Sequence, residues 1–514
     1  SSVAGAFGEQ PRALSKQEIK DLVTDFTMAA TRAEKAGFDG VELHFAHGYL
    51  LRQFISPYTN QRSDEYGGDI NNRARFGLEI LQSIRDRLGD FPVWVRINGS
   101  DYVDNGGSTV EDAKVLAGLL KKAGADAIDV SAGTYESMQW SSQTYYMPPA
   151  CLVHLAAEIK GAIDIPVITV GRINTPELAE QILEENKADF VAMGRALIAD
   201  PDLPRKALEE RGNEIRRCVA DNACIDRLVF DGLVCTVNPW VGKEEEYKIN
   251  LAPKTKNVLV VGGGPAGMQA ARVAAMRGHK VTLCERSNSL GGQVNLANKA
   301  PHKDELNYII TYLSDEFDRL GVSVELDQQV TTALIEEKKP EAVIIATGAK
   351  PIIPSIVEAG SNGVVTAQDV LSGVKDTGEN IVIVGGGRVG LEVAEFLAEK
   401  GKNVTIIEKL KRMGRGLGLT ISDALLGRLK EANVRMLTLT EVQNIEDKAV
   451  MVSQEGKQMV IRADTIVLAV GSQPERTLAE ELDGKISFHA IGDCVEPRNI
   501  QEAMEDAVHV TKDI

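Results

Sequence analysis

The stretch KNVLVVGGGPAGMQAARVAAMRGHKVTLCER (256–286) recurs as NIVIVGGGRVGLEVAEFLAEKGKNVTIIEK (380–409), and no other feature limits the fold as much. Each copy reads as an apolar strand, a glycine turn, a helix and a second strand. Gly262, Gly264 and Gly267 hold a GxGxxG register in the first copy, and Gly385, Gly387 and Gly390 hold it in the second. In both, an acid (Glu285 or Glu408) ends the second strand eighteen residues beyond the last glycine. A glycine turn that opens a helix presents backbone amides to a pyrophosphate. An acid at the end of the next strand accepts from a ribose hydroxyl. One unframed GxGxxG is weak; two framed copies predict two dinucleotide sites.

The rest of the chain must be accommodated around them. At 514 residues the length suggests roughly three to four domains. The charge balance is −17, and no Lys/Arg-rich run stands out, so nucleic-acid binding has no support. The longest apolar run, 258–276, is broken by glycines, Gln269 and Arg272, and falls short of a membrane span. SSVAGAFGEQPRAL at the start lacks the basic flank and apolar centre of a signal peptide. Cys151, Cys284 and Cys494 stand too far apart in sequence for a disulfide framework, and the expected compartment is a reducing cytoplasm.

Upstream of the repeat, strands alternate with helices. Ser15-Lys16-Gln17-Glu18 is a capping box, followed at helical spacing by Ile19, Leu22, Val23, Phe26, Ala30 and Ala33. Strands are expected at 39–44, 92–98, 127–133, 166–171 and 190–194, with helices around 72–88, 110–123, 152–162 and 176–185. Such alternation argues a (β/α)8 TIM barrel, of which only about five units are readable. Three more would need roughly 100 residues. The expectation is therefore an N-terminal part outside this sequence, or a second chain that completes the barrel; an open five-stranded sheet is the remaining option.

Barrel chemistry sits at the carboxyl ends of the strands. His44, His47 and Tyr49 follow the first readable strand, Arg96 ends the second and Tyr135 follows the third. Gly171-Arg172 and Gly194-Arg195 follow the last two, a pairing of close backbone approach with positive charge that suits a phosphate. Between barrel and repeat, RCVADNACIDRLVFDGLVCTVNP (217–239) packs Cys218, Cys224 and Cys235 into eighteen positions. Clustered thiolates beside nucleotide sites point to a soft metal centre, iron–sulfur above all; the alternative is a group of buried core cysteines.

HFAHGYLLRQFISPYTNQRSDEYGGDINNRARF (44–76), with VRIN, VSAGTYES, VITVGRI and VAMGRALIADPDLP, resembles the old yellow enzyme family of flavin-dependent ene-reductases over 1–210. The resemblance implies that His44 and His47 hydrogen-bond a substrate carbonyl, that Tyr49 donates a proton and that Tyr135 lines the substrate site. It implies Arg96 at the flavin N1/O2 edge, with Gly171, Arg172, Gly194 and Arg195 at the FMN phosphate. The larger relatives, of the 2,4-dienoyl-CoA reductase, 2-enoate reductase and trimethylamine dehydrogenase type, carry a four-cysteine [4Fe–4S] segment after the barrel. Here Asp221 stands where the second cysteine is expected. The resemblance thus implies a 4Fe-4S cluster with Asp221 or water on one iron, or a 3Fe-4S cluster, held by Cys218, Cys224 and Cys235.

LGGQ (290–293), ATG (346–348), VLAVG (467–471) and AIGDC (490–494) extend the likeness to the flavoprotein disulfide reductase fold. That implies FAD at the first glycine motif, with Glu285, Arg286, Gly292, Gln293, Thr347, Gly348 and Asp493. The nicotinamide cofactor falls at the second motif. Glu408 favours NADH, since a carboxylate repels a 2′-phosphate, while Lys409, Lys411 and Arg412 leave NADPH open. No CxxxxC pair follows the first motif, which argues against disulfide reduction.

The expected division is a partial barrel at 1–212 and a cysteine segment and linker at 213–250. An FAD domain at 251–375 and 476–514 encloses a nicotinamide domain at 376–475. The implied electron path runs from NADH to FAD, the iron–sulfur centre, FMN and an unsaturated carbonyl substrate. Oxidation of a methylated amine, with Tyr135, Trp140, Tyr145 and Tyr146 as a cation cage, is one alternative. An electron-transfer chain without its own substrate site is another. Expected partners are the nicotinamide dinucleotide, the substrate and either a second copy or a barrel-completing chain.

Overall fold

The computed structural model describes residues 11–228, 232–357 and 362–514. They pack as two compact units that divide between Leu197 and Ile198. The first opens with the helix Lys16–Lys35, whose start is the predicted capping box: the Glu18 amide donates to Ser15 Oγ and the Ser15 amide to Glu18 Oε2. Ile19 and Ala30 are buried, and Leu22, Val23 and Phe26 pack on the core.

Five strands follow: β1 (Val41–Phe45), β2 (Val93–Asn98), β3 (Ala127–Ser131), β4 (Val167–Thr169) and β5 (Phe190–Val191). All pair in parallel and in chain order, the order of a barrel wall rather than of a doubly wound sheet. The helices Ile70–Leu88, Val110–Lys122, Val153–Lys160 and Pro176–Glu184 connect them. Strand alternation sends Phe45, Val95, Ile97, Ile128 and Val130 into a single apolar core with these helices. The opposite face carries Glu42, His44, Trp94, Arg96 and Asp129, aligned in register. One placement differs from expectation: His44 lies inside β1 rather than after it, because the apolar alternation runs on to Phe45. Arg96 lies within the predicted second strand, two residues before its end at Asn98. The last two strands are shorter than expected, since the chain leaves the sheet to form the Gly–Arg turns.

In the second unit, Asn257–Val261 and Lys280–Cys284 pair in parallel inside a five-stranded sheet with Ser323–Glu325, Ala342–Ile345 and the late strand His489–Ala490. Asn380–Val384 and Asn403–Ile407 repeat that arrangement in a second sheet with Val364–Thr366, Arg435–Leu437 and Thr465–Leu468. Because His489–Ala490 returns to the first sheet, the second dinucleotide fold is an insertion in the first. Residues 440–462 form an antiparallel sheet of three strands that the sequence reading did not foresee. Among the described residues no helix is long and apolar enough to cross a membrane.

Candidate active site

In the first unit, β1 delivers His44, and the turn after it delivers His47 and Tyr49. Gly48 sits in the left-handed region, and a Cβ there would lie 2.9 Å from the Tyr135 ring. That glycine therefore lets the two tyrosines approach. The His44 ring lies 5.1 Å from that of His47 and 5.0 Å from that of Tyr49, and Tyr49 lies 5.7 Å from Tyr135. Tyr49 and Tyr135 hydrogen-bond through their side chains; burial, then that bond, pushes Tyr135 up to about 12. The four predicted residues thus meet in one place.

Burial lowers both histidines. For His47 the further neighbours are His44, Arg96 and Arg52, and its value falls to about 3. Arg96 stands between Glu42 (3.0 Å) and Asp129 (2.8 Å). Burial, opposed by Arg96, brings Asp129 up to about 7.

The support of this site was missed by sequence reading. His47 adopts φ 61°, and its amide donates to Asn98 Oδ1 at 3.2 Å. Asn98 in turn donates to Asp101 and to the Gly133 carbonyl. Asp101, fully buried, also accepts from Arg52 Nε, Ser56 Oγ and the Ser108 amide. Arg52 and Ser56 belong to the segment just after Tyr49, so one carboxylate ties the histidine turn to the loop after β2. Their signal in sequence was only the polarity of residues flanking strand ends.

Arg172 and Arg195 both donate to carbonyls of one loop, Arg172 to Met147 and Arg195 to Gln143. Gly171 has φ 114° and packs against Leu152, while a Cβ on Gly194 would meet nothing within 4 Å. Two guanidiniums and an open glycine form a cradle consistent with a phosphate.

The two glycine motifs fit dinucleotides at each position. Cβ atoms on Gly262 and Gly385 would lie 2.3 and 2.4 Å from the Ala346 and Ala469 carbonyls, each just past a strand end, and those on Gly267 and Gly390 would lie 1.9 Å from the turn itself. Those four positions serve the fold. Gly264 and Gly387 differ: a Cβ on Gly264 would meet nothing within 4 Å, and one on Gly387 only a carbonyl at 3.9 Å. There the absent side chain leaves room for a ligand. Glu285 accepts from the Gly263 amide (2.6 Å) and Glu408 from the Gly386 amide (2.8 Å). Gly292 abuts Gly264, and Gln293 reaches Asp493 at 3.4 Å, so these predicted FAD contacts surround the first turn. Thr347 donates to the Glu475 carbonyl, Gly348 turns with φ 76°, and Arg286 is exposed beyond Glu285.

In the cysteine segment, Cys235 lies close enough to Cys218 and Asp221 for each to raise its thiol. Burial is the main cause of a value near 12. Cys235 accepts from the Val237 and Asn238 amides, and Cys218 from the Ala220 amide at 3.4 Å. Amide donors around sulfur suit thiolates on iron. Asp221 is held by Thr236 Oγ1 and, more weakly, by the Ala223 amide at 3.4 Å. Asp226 reaches the start of the helix Leu419–Glu431, where it accepts from the Leu419 and Thr420 amides.

A barrel-wall sheet with an aromatic and imidazole site, joined to paired dinucleotide folds, defines a flavin- and nicotinamide-dependent oxidoreductase. Residues 4–214 match the NADH:flavin oxidoreductase / NADH oxidase family, and residues 256–507 the pyridine nucleotide-disulphide oxidoreductase family. The chain is 43% identical to an NADH oxidase of Thermoanaerobacter brockii, over 98% of this chain and 79% of that one. It is 36% identical to a cinnamate reductase of Clostridium sporogenes, over 98% and 78%. A solved 2-naphthoyl-CoA reductase in complex with 2-naphthoyl-CoA superposes with a TM-score of 0.95 at 35% identity, covering 100% of this chain and 79% of that one. Relatives at 30–33% identity include amine dehydrogenases and demethylases. The chain belongs to the NADH:flavin oxidoreductase / NADH oxidase family.

Proposed function

We propose that this chain reduces a carbon–carbon double bond conjugated to a carbonyl, in an enoate, enoyl thioester or enone, at the expense of NADH. The observation that carries the reading is the meeting of two neutral imidazoles with the Tyr49–Tyr135 pair on the inner face and strand ends of the barrel wall. Negative charge builds on the conjugated oxygen as hydride adds to the β-carbon. In this reading His44 and His47 donate to that oxygen, and Tyr49 protonates the α-carbon. A neutral imidazole stabilises the oxygen without surrendering a proton to it, which leaves the protonation to the tyrosine.

Arg96, Gly171, Arg172, Gly194 and Arg195 would hold FMN. The first glycine motif with Glu285, Gly292, Gln293 and Asp493 would hold FAD, and the second with Glu408 would hold NADH. Cys218, Cys224 and Cys235, with Asp221 or water, would hold an iron–sulfur cluster. When bound, the nicotinamide and FAD would supply electrons in pairs, the cluster would carry single electrons, and FMN would supply the hydride chemistry at the barrel site.

Oxidation of a methylated amine is the second reading, and neutral histidines remove one argument against it, since they do not repel a cation. The aromatic groups weigh the other way. Tyr102 stacks on Trp140 at 3.8 Å and 11°, and Tyr145 packs on Tyr146 at 4.6 Å, so these rings spend faces on each other instead of on a cage. The test is anaerobic purification, reduction by NADH, and addition of an enone, an enoyl-CoA or buffer. Flavin reoxidation by an alkene supports the reading. Bleaching of the oxidised protein by trimethylamine alone reverses it.

A further inference from the structure

We infer that Ser131 sets the tautomer of His47, placing its single ring proton on Nδ1, the nitrogen left for the substrate oxygen; this rests on the ene-reduction reading above. His47 Nε2 lies 2.7 Å from Ser131 Oγ at the end of β3. Ser131 pairs in register with Asn98 at the end of β2. The two neighbours divide the histidine between them: Asn98 takes its amide and Ser131 its ring.

The asparagine cannot be turned the other way. Its Nδ2 is committed to Asp101 (2.8 Å) and to the Gly133 carbonyl (2.7 Å), so Oδ1 must face the His47 amide. This fixes the backbone of a residue in the left-handed region, and with it the origin of the ring. Two proton arrangements then remain, because burial keeps His47 neutral and a neutral imidazole carries one N–H. In the first, Nε2–H donates to Ser131. The serine hydroxyl, 1% exposed and with no other hydrogen bond found among the described residues, is then left with an idle proton. Nδ1 would present a lone pair to an incoming carbonyl, and the two would repel.

In the second arrangement, Ser131 O–H donates into Nε2. The buried hydroxyl is satisfied, and Nδ1 becomes a donor. Only this state allows His47 to stabilise negative charge on a substrate oxygen. Ser131 touches neither the reacting atoms nor a cofactor in this account; it is a positioning residue, and it acts through the imidazole.

The tautomer is read directly by nitrogen NMR on protein labelled at its seven histidines, with His47 assigned from a His47→Gln variant. The expected native signal is Nδ1–H with Nε2 as acceptor. Ser131→Ala should give a mixture of tautomers and lower kcat on an alkene about tenfold with little change in KM, while Ser131→Thr should restore both. A native Nε2–H signal, or a Ser131→Ala signal unchanged from native, overturns the inference. The NMR readout needs no substrate. A native Nδ1–H signal that Ser131→Ala scrambles, in a protein that reduces no alkene, sinks the functional reading and leaves the tautomer assignment standing.

Discussion

Tyr49 is half exposed among groups that are mostly buried, which suits a residue that must meet substrate. Tyr49→Phe removes only the hydroxyl, so alkene-dependent reoxidation should fall by about 10²–10⁴, while the rate of flavin reduction by NADH stays as it was. Stopped-flow measurement of both half-reactions separates the two. The histidines set an acid limit on stability. His47 prefers its neutral form in the fold, with a value near 3 against 6.5 for the free side chain. The unfolded chain therefore takes up the proton first. Stability should be flat above about pH 6.5 and decline as pH falls from there towards 3, with His44 adding in the same direction. Urea midpoints across that range check it; a His47→Gln variant should lose part of the slope. The histidines and Tyr49 were legible because they share one short run of sequence. Ser131 and Asp101 were not, since they reach His47 and Arg52 across 84 and 49 positions, and only the pairing of strands brings them together. Asp101→Ala, which strands Arg52 as a buried charge, should cost about 3–5 kcal/mol by denaturant unfolding.

Among elements, the βαβ glycine turns were legible because their constraints are local: strand, turn and helix lie within about twenty residues, and the first and last glycines of each motif have a steric reason. The antiparallel sheet at 440–462 was not, because polar residues interrupt its strands and, of its apolar residues, only Ile445, Val450 and Val452 reach full burial, in a core shared with the second dinucleotide sheet. Equally invisible was the contact between the cysteine segment and the helix Leu419–Glu431. Asn222 Nδ2 reaches Thr420 Oγ1 at 3.3 Å, and Asp226 supplies from a distance the cap that Gly418 lacks a side chain to give. A Cβ on Gly418 would stand 1.6 Å from Asp226 Oδ2. Gly418→Ala should therefore turn the carboxylate away, lose about 1 kcal/mol of capping and loosen the loop that carries Cys224. Its signature is faster alkylation of Cys224 in metal-free protein, with NADH affinity unchanged. Equal alkylation rates would mean that the cap does not hold the loop.

For the whole molecule, the repeat of one fold inside another predicts a division of labour that two substitutions can separate. Gly264 and Gly387 occupy the same place in the two turns, and both have ordinary negative φ. Neither position resists a Cβ sterically, unlike Gly267 and Gly390, where alanine would collide with the turn. Gly264→Val and Gly387→Val should thus fold with little change in melting temperature while filling the space a pyrophosphate needs. Gly387→Val should weaken NADH-driven flavin reduction by about a hundredfold, equivalent to roughly 2.7 kcal/mol. Protein reduced by dithionite should still be reoxidised by alkene at the native rate, because the barrel site lies in the other unit. Gly264→Val should instead lower the flavin bound per chain and leave NADH titrating onto the protein without reduction. The order of the two phenotypes decides the path. If Gly387→Val is reduced by NADH at the native rate, the nicotinamide does not use the inserted fold, and the assignment of the two sites must be exchanged.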